Sequence, residues 1–197
     1  MKSNQVMSVN DKANARLMSF PGIAEGMGVK GVYNVKCFDK DGKLKWEDKI
    51  LNVVATVGKN LELDTLLAGS SYSVTGPFMG LISSVSYTTG PAAGDTMSSH
   101  GGWTEAGPTN APNYSENRGT MSFNSASGGV KDLSANVVFT FSEGGTVKGC
   151  FVVLGSGAVN TQDSTAGTLY SAGVFSGGDK VVASTDVLNV DWQVTLT

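Results

Sequence analysis

The chain has 197 residues, enough for one large β domain with a core of useful size. Its 26 glycines, with abundant Ser, Thr, Val and Asn and only 16% charged residues, describe short strands joined by tight turns and argue against a helical bundle. The net charge is −3, and the one loose basic cluster (Lys36, Lys40, Lys43, Lys45, Lys49) is interleaved with Asp39, Asp41, Glu47 and Asp48, so no basic face for nucleic acid is expected.

Residues 1–28 mix polar residues with isolated Met7, Leu17, Met18, Phe20 and Ile23, and Pro21-Gly22 interrupts any regular period. This stretch reads as an extended N-terminal arm with two alternatives: a disordered tail or, since Leu17, Met18, Phe20 and Ile23 are apolar for a free tail, a segment that docks on a partner through Met7, Leu17, Met18, Phe20, Pro21 and Ile23. Lys2 is not followed by the apolar core or cleavage site of a secretory signal. Residues 29–197 read as a single β-rich domain. Tyr33, Val35 and Cys37 alternate as a half-buried strand, Asp39-Lys40-Asp41-Gly42-Lys43 supplies turn chemistry, and Leu44 to Ile50 returns as the second strand of a hairpin.

Val53 to Leu67 is the expected helix, with Val54, Val57, Leu61 and Thr65 on one stripe and Gly69 near its end. Phe78 to Ile82 is an apolar run fit for a central strand, continued through Val85 to Tyr87. Residues 88–118, rich in Gly, Pro, Ser and Asn, form a loop long enough to need a function or aromatic anchors such as Trp103 and Tyr114. Strands follow at Gly119 to Phe123, Val137 to Phe141, Thr146 to Leu154, Thr168 to Phe175 and Val187 to Leu196. The pattern predicts a β-sandwich or partly closed barrel of short antiparallel strands with one short helix. Cys37 and Cys150 lie in apolar alternating runs and read as two buried thiols. No apolar run approaches the roughly 18–20 residues of a membrane helix, so no membrane partner is expected.

The chemically tempting stretch is Asp95 to Glu105, which holds the only histidine. A hydrolase would use Ser98 or Ser99 as nucleophile, His100 as base and Asp95 or Glu105 as its orienter. Neighbours in one loop rarely present that geometry, and no Gly-x-Ser-x-Gly elbow occurs, so no catalytic residue is assigned. A single His without a Cys or second His cannot build a zinc site, and the Asp39-x-Asp41-Gly42 start of a calcium loop lacks its later ligands, so neither metal nor cofactor is expected. Phe151 to Gly157 runs from a strand into Gly-x-Gly, but no helix pattern follows to receive a phosphate. The stretch reads instead as a structural clasp. Gly101 and Gly102 allow tight turns, Trp103 pins the loop, Asp95 and Glu105 accept from backbone amides, and His100 packs or hydrogen-bonds.

The succession of blocks carries a resemblance. Asp41-Gly42-Lys43-Leu44-Lys45-Trp46, then Asn52-Val53-Val54, Gly80-Leu81-Ile82 and Gly94 to Glu105, followed by Phe123 to Ala126, Val147 to Phe151, Gly167-Thr168-Leu169 and Asp186 to Val190, resembles small structural proteins of tailed, in particular short-tailed, bacteriophage virions. The resemblance spans most of the chain after residue 30, and departs from the pattern where Asn117-Arg118-Gly119 stands in place of Arg-Pro. It implies a non-enzymatic virion component, made in the bacterial cytoplasm and carried on the capsid surface. The preferred position is a capsid cement or decoration protein whose partners are the major capsid protein and its own copies, as a homodimer or homotrimer. The alternatives are a tail or fibre-associated domain that stacks Trp103 or Tyr114 on a host glycan and, more remotely, the hydrolase.

Overall fold

The computed structural model describes residues 28–67, 75–115 and 117–196. They form two antiparallel sheets packed face to face with one short helix, a sandwich in the mainly β class. The strands are β1 (Val29–Phe38), β2 (Leu44–Leu51), β3 (Val53–Val54), β4 (Phe78–Ser83), β5 (Gly119–Thr120), β6 (Val130–Asp132), β7 (Val137–Thr140), β8 (Gly145–Leu154), β9 (Thr168–Val174), β10 (Lys180–Val182) and β11 (Val187–Leu196), with helix α1 at Thr56–Leu67. The first sheet runs β2-β1-β11-β6, with β7 also on β11; the second runs β3-β9-β8-β4-β5, with β10 on β8. The β1–β2 turn closes because the Asp39 carboxylate accepts the amides of Asp41 (3.0 Å) and Lys43 (2.9 Å) while Gly42 takes φ 76°.

Between the sheets, Tyr33, Val35, Cys37, Ile50, Leu188 and Val190 pack on Met79, Leu81, Val147, Cys150, Val152 and Tyr170. Successive side chains of a strand point to opposite faces, so Phe151 and Val153 project from the other side of β8. They too are buried, in a second cluster with Ile82, Leu169, Ala172 and Trp103. The second sheet is therefore covered on both faces, and this is why Phe78 to Ile82 reads as an unbroken apolar run rather than an alternating one.

Several boundaries differ from the sequence expectation. The helix starts at Thr56, because Val53 and Val54 are held as a strand against Ala172 and Ser171. Gly58, unfavourable for a helix in isolation, is what lets α1 lie on β9: a Cβ there would stand 2.6 Å from the Tyr170 carbonyl oxygen. The central strand ends at Ser83, and Ser84 to Tyr87 turn away with Ser86 at φ 54°. Gly119 to Phe123 is a strand only at its first two residues, and β6 and β10 were too short and too charged to show a period.

Polar contacts join the layers. The Tyr33 hydroxyl, on β1, meets the Ser171 hydroxyl, on β9, at 2.9 Å in the core, and burial pushes the Tyr33 phenol up. Lys45 is paired with the buried Asp186, which also accepts the Ala183 amide at 2.8 Å. Both cysteines are free and buried, and burial pushes the Cys37 thiol up to about 11. Asp48 of β2 receives the Lys180 ammonium (2.6 Å), the Ser176 hydroxyl (2.8 Å) and the Gly177 amide (3.0 Å) from the second sheet.

Burial alone would raise the Asp48 carboxyl, but these donors, with the Lys49 amide, hold it down at about 2. The folded protein thus keeps Asp48 ionised where the unfolded chain, near 3.8, begins to protonate. Its stabilisation is complete above that pH and is lost as pH falls from about 4 towards about 2. Lys180→Met should therefore lower stability near neutrality by on the order of 1 kcal/mol and flatten the acid limb of the pH–stability curve. Urea unfolding at pH 7, 4 and 2.5 measures both, and an unchanged acid limb would contradict the clamp.

Candidate functional site

The outer face of the second sheet is apolar, and the long segment 88–118 covers it. Its path is set by backbone pairing along β4: the Ser83 amide donates to the Thr104 carbonyl (2.9 Å) and the Ala106 amide to the Leu81 carbonyl (2.8 Å). This antiparallel run places Trp103 over Phe151, with ring centroids 5.5 Å apart, and leaves Trp103 only 2% exposed. The indole Nε1 donates to the Asp95 carboxylate at 2.9 Å, and the same oxygen accepts the Ala92 amide. His100 stacks on the indole at 4.0 Å. Its Nδ1 lies 2.9 Å from the Trp103 carbonyl oxygen, which can only accept, so Nδ1 carries the proton. The Gly102 carbonyl accepts the amides of Thr88 (2.9 Å) and Thr89 (3.0 Å), and a side chain on Gly102 would collide with Thr89. Gly101 sits in open space, and its lack of a side chain is not required by contact.

Beneath this stack lies a buried ion pair. Arg118 donates through Nε to Glu105 Oε1 (2.9 Å) and through Nη2 to Oε2 (2.7 Å), a bidentate fork. The guanidinium also reaches the carbonyls of Val159 (3.2 Å) and Ser164 (2.7 Å) and lies over the Phe151 ring. Glu105 further accepts the Asp163 amide (2.9 Å) and, at a longer 3.4 Å, the Tyr114 hydroxyl. Burial pushes the Glu105 carboxyl up, and Arg118 opposes that shift. Five chain segments meet at these two side chains: Thr104–Ala106, Tyr114, Arg118, Val159 and Asp163-Ser164. Removing one partner of such a pair typically costs about 3–5 kcal/mol, because the other charge stays buried.

Arg118 had no assigned role in the sequence reading. Its signal was available: it is one of two arginines in the chain and sits in a stretch of Asn, Ser, Gly and Pro. Nothing local announces its partner, which is 13 residues back.

The arrangement does not assemble a triad. Asp95 serves the indole instead of the imidazole, Glu105 serves Arg118, and the Ser98 hydroxyl faces Thr96 at 3.3 Å. Among the described residues neither Ser98 nor Ser99 is hydrogen-bonded to His100. The adjoining pocket, bounded by His100, Thr104, Asn110 and Asp163, is about 150 Å³, below the roughly 300 Å³ at which small-molecule sites begin. Among the described residues no group of three or more His, Cys, Asp or Glu could hold a metal ion. Gly155 and Gly157 take φ 93° and 77° in a turn after β8, and no helix follows to bind a phosphate. Trp103 and Tyr114, at 2% and 1% exposure, present no free ring to a sugar. Met7, Leu17, Met18, Phe20, Pro21 and Ile23 lie outside the described residues.

Comparison with protein-family models, with curated proteins and with solved structures finds no match to this chain.

Trp103→Ala should remove about 3–5 kcal/mol and the lid over Phe151. Limited proteolysis should then cut within residues 88–118 at protease concentrations that leave the parent chain intact; equal resistance would show that Trp103 does not anchor the segment.

Proposed function

We propose that the chain is a structural protein of a bacteriophage particle, most specifically a capsid cement or decoration protein that binds and cross-links major capsid subunits and stabilises the DNA-filled head. The observation that carries this reading is the inward use of the Asp95–Glu105 block. Its indole, imidazole and both carboxylates are bonded within the domain, so the residues best suited to chemistry build a rigid domain. With these side chains spent inside the domain and only a pocket of about 150 Å³ beside them, the domain is suited to act through its surface. The succession of sequence blocks that resembles phage virion proteins gives that surface its partner class.

Cementing needs many modest contacts repeated by symmetry, and closed dimers or trimers at capsid axes would supply them. The apolar arm at Leu17, Met18, Phe20 and Ile23 adds contact area that can reach a neighbouring subunit. A tail or fibre domain that grips glycans by aromatic stacking is the weaker reading, because Trp103 and Tyr114 are buried.

The test is location and copy number in purified particles. Density on the capsid lattice, at a copy number matching a class of lattice positions, is expected, and particles lacking the protein should lose DNA at lower temperature. Density confined to the tail would overturn the reading. Deleting residues 1–28 should weaken capsid binding at least severalfold, and unchanged binding would remove the arm from the mechanism.

A further inference from the structure

At the end of the sandwich where β11 finishes, the two sheets part and α1 leans across the opening. The result is an apolar groove of about 350 Å³, walled by Leu61, Leu66, Phe123, Leu154, Trp192 and Leu196. That volume falls within the range that holds a small organic group or a few side chains. Its wall carries an exposed apolar side chain, Leu66, 64% exposed.

We propose that, in the free protein, this groove is the seat of the chain's own N-terminal arm, with the apolar cluster Leu17, Met18, Phe20 and Ile23 filling it. Reach supports this occupant. Val29 is the register partner of Leu196, which forms part of the groove wall, so the arm joins the domain one strand spacing from the opening. Four residues, 24–27, separate Ile23 from Gly28, and the five steps between them span up to about 17 Å, enough to reach the groove. An intramolecular segment on so short a tether faces the groove at an effective concentration near the millimolar scale, ahead of a second copy in dilute solution.

Charge order supports the same path. Glu25 precedes Gly28 by three residues, and Lys131 stands on the near wall, on β6 beside Val194 of β11. Arg16 lies on the far side of the apolar cluster, and Glu62 of α1 stands on the far wall, where it accepts from the Tyr170 hydroxyl at 2.5 Å. Threaded inward from Gly28, the arm brings Glu25 to Lys131 and Arg16 to Glu62, with the apolar residues between. This inference does not rest on the virion reading; where a partner uses the arm, it must first draw it out of the groove.

The test replaces Phe20 with the photo-crosslinker p-benzoylphenylalanine in the full-length protein and maps the products by mass spectrometry. Crosslinks within one chain to residues 61–66, 123 or 192–196 are expected. Lys131→Glu should cut their yield severalfold, and Lys131→Glu with Glu25→Lys should restore it. Leu66→Asp, at an exposed position where folding is not at risk, should also cut it. Products of dimer mass would assign the groove to the arm of a second copy and overturn the proposal, as would crosslinks elsewhere on the domain, or none. Failure here would leave copy number and location in particles unaffected, so the two readings fall separately.

Discussion

The Glu105–Arg118 ion pair is the constraint on which the outer half of this molecule depends. A charge that deep is tolerated only when its hydrogen bonds are satisfied, and the two side chains obtain that satisfaction by drawing distant segments together. Glu105 stands beside β4 by backbone pairing to its edge, Arg118 arrives just before β5, and the carbonyls of Val159 and Ser164 come from the β8–β9 connection. The pair is therefore a fixture for loop geometry, and its specificity matters more than its net energy. The aromatic stack above it, Phe151, Trp103 and His100, supplies the apolar burial that the ion pair cannot.

This division of labour explains why a sandwich tolerates so long an irregular segment. A sheet buried on one face needs only a partner sheet, whereas the second sheet here is apolar on both faces. Segment 88–118 is its missing layer. It behaves as a covering element, with Tyr114 turned edge-on to Phe139 at 5.0 Å where the segment meets the first sheet. Polar clamps at Asp48 and Tyr33 then fix one sheet on the other.

Much of the β framework was legible in the sequence because its signals are local. The Asp39 to Lys43 turn, the alternation of β11 and the apolar run of β4 each follow from residues a few positions apart. The one helix was legible as well, but its first turn was not, since Val53 and Val54 carry a period that suits a helix stripe and a strand equally; only β9, more than a hundred residues later, decides between them. Gly58, unfavourable in an isolated helix, is likewise explained only by the close approach of α1 to β9. The candidate site divides the same way. Trp103 as the anchor of the loop and Asp95 as an acceptor of a loop amide were legible, whereas the bond that joins the Trp103 indole to Asp95 was not read. Arg118 could not be paired with Glu105, because side chains that meet across a folded loop leave no periodic trace.

The central claim is that Glu105 and Arg118 act as one unit that holds the covering segment down. A double-mutant cycle with Glu105→Gln, Arg118→Met and the combination, read by denaturant unfolding and by hydrogen exchange of the amides in 88–118, tests it most directly. The account predicts that the combined variant loses less stability than the sum of the single variants, by about 1–3 kcal/mol, and that each single variant speeds exchange in that segment ahead of global unfolding. Strictly additive losses, with exchange in 88–118 unchanged, would contradict it.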